Sequence, residues 1–215
     1  MKLTATNLAL AAALAVLAGC ASKSYDKGTA AATATQSAAA AVSQTSTKVT
    51  DVLGALNNLT FKSQGDLRKQ YDAFVSATAN LDKSIENLGA KATAMRDAAA
   101  AFSQNWSNQL AAISSADLRA RSTERMNEVT AKLKDMDASY LDVKNSLRPF
   151  TTDLKDIQTY LGTDLTAGGL ATIKDIVSKT KVDAVPLRDS IKQLQASFSS
   201  LGASLSPILP PPDAK

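Results

Sequence analysis

The chain has 215 residues, and 24 lysines and arginines stand against 20 aspartates and glutamates, for a formal net charge of +4. This small excess, without a run of basic side chains, does not indicate a nucleic-acid partner. The chain has one cysteine and no histidine, which removes the usual parts of zinc sites and of Cys- or Ser-His nucleophilic catalysis. We therefore expect a non-enzyme with no catalytic residues, no metal site and no cofactor.

Residues 1–19 have the layout of a secretory signal peptide. Lys2 supplies a positive start, and residues 8–18 form an apolar segment that is too short to cross a bilayer. A four-residue motif at its end resembles the bacterial lipobox: Leu17, Ala18, Gly19 and Cys20. The resemblance implies lipidation of the Cys20 thiol with a diacylglyceryl group, cleavage before Cys20, and fatty acylation (palmitate) of the new amino terminus.

The lipidated amino terminus predicts a location. Two or three acyl chains hold a protein stably to a membrane, whereas one chain binds marginally. Ala21 occupies the position at which many Gram-negative lipoproteins retained at the inner membrane carry aspartate, so the resemblance implies an outer-membrane anchor and a periplasm-facing chain. Residues 20–40 are rich in Ala, Thr and Ser, and we interpret them as the lipidated terminus and a tether. Whether residues 28–45 are helical stays open at this point.

Apolar residues recur at alternating spacings of three and four, which indicates a helix seam. The pattern predicts an all-α fold, an elongated antiparallel up-down-up-down bundle or coiled coil of long helices over residues 41–205. The seam rows, including a weaker first row that begins before residue 41, are Ala31, Thr35, Ala38, Val42, Thr45, Val49, Val52, Leu56 and Leu59; Leu67, Tyr71, Phe74, Thr78, Leu81, Ile85, Leu88, Ala92, Met95, Ala99, Phe102, Trp106 and Ile113; Met126, Val129, Leu133, Met136, Tyr140, Val143, Leu147, Phe150, Leu154, Ile157 and Leu161; and Leu170, Ile173, Val177, Thr180, Ala184, Leu187, Ile191, Leu194, Phe198, Leu201 and Leu205.

Short breaks between these rows carry helix-ending and helix-starting residues. They are Gly65 with Asp66 as turn and N-cap, Ser114 with Asp117 as a capping box, and Gly162 past a helix end with Asp164 or Thr166 opening the next helix. Connections this short place neighbouring helices antiparallel. The second and third helices have about 45 residues each, which corresponds to a rod of roughly 65–70 Å.

Two prolines lie inside the pattern. Pro149 and Pro186 each precede a seam residue, Phe150 and Leu187, and the apolar register continues across both. We interpret them as kinks within continuous helices. A kink could open a groove or hinge, but curvature on a solvated face is the simpler interpretation.

Residues 206–215, "SPILPPPDAK", form a Pro-rich extended tail that ends in Lys215. Peptidoglycan-linked lipoproteins of Gram-negative envelopes also end in lysine. The residues before Lys215 do not match their ending, so we do not expect a covalent peptidoglycan link.

Three stretches carry a family resemblance: "GDLRKQYD" (65–72), "SADLRARSTERM" (115–126) and "LRPFTTDLKDIQTYLGTDLTAGGLATI" (147–173). Together they resemble an uncharacterised bacterial family of predicted coiled-coil lipoproteins, a domain of unknown function, over roughly residues 60–175. The resemblance implies a helical, envelope-located protein and brings no activity with it.

Two functions fit these patterns. The first is a lipid-anchored structural or protein-interaction lipoprotein that presents its polar helix faces to an envelope protein or to a second copy of itself. The alternative is a membrane-active or lipid-handling amphipathic bundle whose helices open onto lipid. The mixed charge of the outer faces and the narrow apolar seam favour the first.

Overall fold

The computed structural model describes residues 6–62 and 65–205, with side chains from Tyr25 onward. Within these ranges the chain consists of helices joined by short turns and contains no strand, which confirms the predicted all-α class. The helices are α1 (Thr6–Phe61), α2 (Leu67–Leu110), α3 (Ala116–Thr163), α4 (Ala167–Thr172) and α5 (Lys174–Leu205). The short α4 is separated from α5 by the single residue Ile173. The bundle therefore has four helical segments, which we call legs: α1, α2, α3, and α4 together with α5.

Contacts between helices fix their directions. In every contacting pair of legs, residue numbers rise along one helix as they fall along the other. The pairs are Gly28–Phe102 and Gln44–Asn87 for α1 and α2; Asp82–Lys155 and Arg96–Asp137 for α2 and α3; Lys132–Ser204 and Ser146–Ser190 for α3 and α5; and Ser43–Gln195 and Asn57–Lys181 for α1 and α5. The legs therefore run up-down-up-down, and α1 packs on α5 to close the bundle. At 1.5 Å per residue, the 44-residue α2 and the 48-residue α3 are about 66 and 72 Å long.

The predicted seam forms the core. Every predicted position of the first and fourth rows is buried. In the second and third rows most positions are buried, and the remainder are half-buried: Leu67, Tyr71, Ile85, Phe102, Trp106, Ile113, Met126, Leu133 and Tyr140. These exceptions follow from the interface between α2 and α3, which is the sparsest of the four long-helix interfaces, whereas α1 and α2 make the most extensive one.

Residues 25–40 do not form the tether that composition suggests. They belong to α1, and Ala31 and Ala38 are completely buried. Alanine has the highest helix propensity, and its small side chain leaves room for a neighbouring helix. The buried hydroxyl of Thr35 donates to the Ala31 carbonyl at 2.8 Å, so it costs the core no unpaired donor. The packed bundle consequently begins well before residue 41, and residues 28–45 are helical.

The connection before α2 has the predicted chemistry. Gly65 adopts a left-handed backbone with φ of 78°, which glycine reaches without steric cost. The Asp66 carboxylate then accepts a hydrogen bond from the Arg68 backbone N–H at 2.9 Å, as an N-cap side chain does.

The other two connections differ in detail. The N-cap of α3 is Ser115 and not Ser114, since the Ser115 hydroxyl accepts from the Leu118 backbone N–H. Thr166 opens α4 by accepting from the Gly169 N–H at 3.1 Å. Gly162 lies inside α3, where a Cβ would come within 3.1 Å of the Tyr71 hydroxyl. Its role is therefore close packing rather than helix termination.

The two prolines lie inside helices, as predicted. Helix α3 continues through Pro149 and α5 through Pro186, and both prolines are exposed beside the buried residues Phe150 and Leu187. The predicted tail over 206–215, with Lys215, lies outside the described residues.

Candidate functional site

The predicted lipid-attachment motif lies on the first part of α1. The backbone range of α1 includes its positions, and the side chains of Leu17, Ala18, Gly19 and Cys20 lie outside the described residues. Among the described side chains, close contact between α1 and α2 is established at Gly28, eight positions after Cys20. There a Cβ on Gly28 would lie 3.3 Å from the Phe102 ring of α2. None of the described helix segments combines the length with the continuous apolar composition that a bilayer-spanning helix needs.

The turn between α2 and α3 is held by side-chain contacts. The Arg119 guanidinium donates to the Ile113 carbonyl through Nε at 3.1 Å and Nη2 at 2.7 Å. The Trp106 indole Nε1–H donates to the Ser122 hydroxyl at 2.9 Å, and its ring packs against Phe102 at a centroid distance of 5.3 Å. Trp106 thus ties α2 to α3 at the end of the bundle. This agrees with the packing role that its place on the seam predicts.

Several polar contacts cross the α2–α3 interface. The Arg96 guanidinium pairs with Asp137 and lies 4.7 Å from the centre of the Tyr140 ring. Further along, the Tyr71 hydroxyl donates to the Gln158 carbonyl at 3.0 Å. Aromatic residues on this seam therefore combine apolar packing with a polar contact at the rim.

Two open grooves of about 400 Å³ each run along the same interface. Asp82 and Glu86 of α2 line one of them opposite Lys144, Arg148 and Lys155 of α3. The Lys155 ammonium lies 3.4 Å from the Asp82 carboxylate across it. Two carboxylates therefore face three cations across this groove, which leaves a small positive excess on the α3 side.

A cluster of charges lies near the junction of α3 and α5. Lys179 of α5 pairs with Asp183 one turn on and with Asp153 of α3 at 3.4 Å. Hydrogen bonds from the ammonium to Asp183 and Asp153 raise the pKa of Lys179 above its ordinary value of 10.5. The Lys179 side chain is 64% exposed, so the cluster is a surface ion-pair network that links two helices.

Among the described residues, the polar side chains buried in the interior are all threonines and serines, and none is charged. The buried polar side chains are Thr35, Thr45, Thr60, Thr78, Ser84 and Thr180. Across residues 25–62 and 65–205, no three His, Cys, Asp or Glu side chains come together in a way that could hold a metal ion. That the protein has no catalytic or cofactor-binding residue stays a prediction.

Sequence reasoning missed the buried Ser84. Its hydroxyl lies 2.9 Å from that of Thr45 on α1, whereas the predicted seam residue beside it, Ile85, is half-buried. The available signal was its spacing, because Ser84 follows Leu81 by three residues, as a seam residue does. Because serine is polar, a search for apolar residues at this spacing passes over Ser84.

Comparison with known proteins gives one match. No curated protein and no solved structure is significantly similar to the chain. The family model described as "Protein of unknown function (DUF2959)" matches residues 22–203. This range is wider than the 60–175 that the quoted motifs suggested, because it also takes in most of α1 and nearly all of α5. The chain belongs to this uncharacterised family.

Proposed function

We propose that the protein is a lipid-anchored lipoprotein of the outer membrane, facing the periplasm, with a structural or protein-interaction role and no catalytic activity. One observation carries the proposal. The only cysteine of the chain ends an apolar segment in a lipobox-like motif, immediately ahead of a long helical bundle. A lone cysteine in an exported chain has no internal disulfide partner, so acylation gives it a use.

The bundle supports an interaction role over an enzymatic one. The apolar seam residues of its helices are buried in its own core, because the helices pack against each other along their length. The outer faces present mixed charges to solvent, arranged mostly in local pairs such as Arg68 with Asp72 and Arg121 with Asp117. A rod of about 70 Å with a polar exterior suits projection from a membrane and contact with envelope proteins. We propose an envelope protein or a second copy of the chain as the partner.

The test of the anchor is mass spectrometry of the amino-terminal peptide from cells. The expected peptide begins at Cys20 and carries the mass of a diacylglyceryl group and a fatty acyl group. In a Cys20→Ala variant the peptide is expected to begin at Met1 without added mass. An unmodified amino terminus in the wild-type protein would refute lipid anchoring.

The partner test is crosslinking of intact envelopes followed by purification. The wild-type protein should capture a defined protein that the Cys20→Ala variant, displaced from its site, loses. Equal capture by both would contradict a role that depends on the anchor.

A second candidate is the lipid-handling bundle, and the open α2–α3 interface favours it. The sparse contact and the two grooves there make it the place where the bundle would separate most readily. A purified chain that begins at residue 20 and carries Cys20→Ala, mixed with phosphatidylethanolamine–phosphatidylglycerol vesicles, distinguishes the two functions. A lipid-handling bundle binds these vesicles or gains helicity on them, whereas an interaction rod stays in solution with unchanged circular dichroism.

A further inference from the structure

The two ends of the bundle differ in charge. Residues 98–116, which form the end of α2 and the turn into α3, contain no Asp, Glu, Lys or Arg. The connections at the opposite end carry charges throughout: Lys62, Asp66, Arg68 and Lys69 before and in α2, and Asp164, Lys174 and Asp175 around α4. Residues 28–47 and 193–212 are charge-free runs of similar length, but residues 98–116 are the run that contains a connection between two of the described helices. We refer to residues 98–116 as the charge-free tip.

Apolar side chains are exposed beside the charge-free tip. Leu118, on the first turn of α3, is 59% exposed, and Tyr25 of α1 is 63% exposed. Leu110 and Ile113 at the end of α2 and in the turn are half-buried. The opposite end also exposes Phe61, Tyr160 and Ile176, and there the Lys181 ammonium lies 4.2 Å from the Phe61 ring centre. Among the described residues, both ends therefore expose apolar groups, and the charge-free tip differs from the opposite end in that its helix connection carries no charge.

The register between α1 and α2 places the predicted anchor at the same end. Gly28 lies opposite Phe102 and Thr45 opposite Ser84, so the two residue numbers add to about 130 along the pair. Extended along α1, this register sets Cys20 level with Leu110, where α2 ends. The anchor and the charge-free tip therefore share one end of the bundle.

The link between anchor and bundle is short. Because α1 is packed from Gly28 onward, only eight residues separate that contact from Cys20. These eight residues cover about 12 Å as a helix and at most about 28 Å fully extended. An acylated Cys20 would thus hold the charge-free tip close to the lipid surface.

We propose that the charge-free tip rests in the headgroup layer of the membrane that holds the acyl chains, so that the rod stands away from the bilayer with its charged end outward. The proposal depends on the lipid anchoring proposed above. Uncharged polar groups and aromatic side chains such as Tyr25 enter the interface at low cost, whereas charged groups resist burial there. The nearest charges are Lys23, Asp26 and Lys27 on α1 and Asp117, Arg119 and Arg121 on α3. Each group has an excess of one positive charge, which suits anionic phosphates.

Two matched leucines make the test. Leu118 and Leu141 lie on the same helix and are 59% and 54% exposed, so replacement of either leaves the core intact. They are 23 residues apart, or about 34 Å along α3. Trp106 is the only tryptophan, so a Trp106→Phe background allows one new fluorophore at a time: Leu118→Trp or Leu141→Trp. Circular dichroism confirms that each variant keeps the helicity of the wild type.

The acylated variants are reconstituted into phosphatidylethanolamine–phosphatidylglycerol vesicles with and without a nitroxide-labelled headgroup lipid. For Leu118→Trp we expect the nitroxide to reduce the fluorescence about two-fold or more, since this position lies at the surface where amphipathic segments bind. For Leu141→Trp we expect no change.

The outcomes separate the two proposals. Vesicle flotation of both variants with no quenching of either refutes contact of the charge-free tip and leaves lipid anchoring intact. Equal quenching of both means that the rod lies flat on the bilayer, which also refutes the proposal. Failure of the purified wild-type protein to carry acyl groups and to float with vesicles refutes the anchoring itself.

Discussion

A buried pair of hydroxyl groups between α1 and α2 gives the sharpest stability prediction. Thr45 is completely buried, and Ser84 is 4% exposed. The Thr45 hydroxyl donates to the Ala41 carbonyl at 2.9 Å and lies 2.9 Å from the Ser84 hydroxyl. With the Thr45 proton directed to Ala41, the Ser84 hydroxyl donates to Thr45 across the interface.

Removing one member leaves the other without its partner in the core. Thr45→Val keeps the shape of the side chain but deprives the buried Ser84 hydroxyl of its acceptor, which costs about 1–3 kcal/mol. For a chain of this size each kcal/mol corresponds to about 2–4 °C, so the melting temperature should fall by between about 2 and 12 °C. Adding Ser84→Ala removes the stranded hydroxyl, so the double variant should return to within about 1 kcal/mol of the wild type.

The measurement is urea unfolding followed by circular dichroism at 222 nm for the wild type, both single variants and the double variant. The double-mutant cycle should give a coupling of about 1 kcal/mol or more. Thr47→Val is the control, because Thr47 is exposed and bonds only to the Ser43 carbonyl in its own helix. Additive effects of Thr45→Val and Ser84→Ala would refute the reasoning, since the two hydroxyls would then be energetically independent.

Two further predictions concern α3 and its contact with α5. Phe150→Ala should lower the free energy of unfolding by about 3–5 kcal/mol, because Phe150 is completely buried. Leu141→Ala, on the exposed face of the same helix, should stay within about 0.5 kcal/mol of the wild type in the same denaturant titration. The ion pairs of Lys179 with Asp183 and Asp153 raise its pKa in the folded state. They therefore contribute fully to the stability of the fold below pH 10.5, and this contribution is lost as the pH rises through the folded-state pKa. Asp183→Asn should move the NMR titration of the Lys179 side chain back toward 10.5, and an unchanged midpoint would contradict the assigned cause.

The helices and their core were predictable because the seam is a local pattern. In α5 each apolar or small residue at the three-four spacing from Val177 to Leu205 is buried, and no tertiary information was needed to find them. The same rule misplaced one position of α2, where Ser84 is buried and Ile85 is not. That choice depends on Thr45 of α1, which lies 39 residues away in the chain, and spacing alone carries no such information.

Helix ends were predictable only to within a residue or two. Ser114 and Ser115 are adjacent and chemically identical, and the backbone geometry selects Ser115 as the N-cap of α3. Gly162 resembled a helix stop because glycine commonly follows a helix end. The Tyr71 hydroxyl, held by the Gln158 carbonyl, explains it instead, and that contact spans 87 residues of sequence.

The candidate site came from a different kind of signal. Cys20 was identified as a lipid-attachment site from a four-residue motif and its position after an apolar run. The fold added the position of Cys20 along the bundle axis, level with the end of α2. The absence of charge in residues 98–116 could be connected with the membrane only through the antiparallel register of α1 and α2. That register sets these residues beside the start of the proposed mature chain.

The part of α1 that composition assigned to a tether gives the decisive test of how rigidly that end is held. Ala38 is completely buried, whereas Ala40, two residues on, is exposed. Ala38→Leu forces extra methyl groups into the closely packed interface and should destabilise the protein by about 1–3 kcal/mol. Ala40→Leu makes the same chemical change on the solvent side and should leave the urea midpoint unchanged. If both variants unfold at the wild-type midpoint, the segment is a tether after all. The bundle would then lose its short connection to the anchor, and the charge-free tip would have no reason to reach the lipid surface.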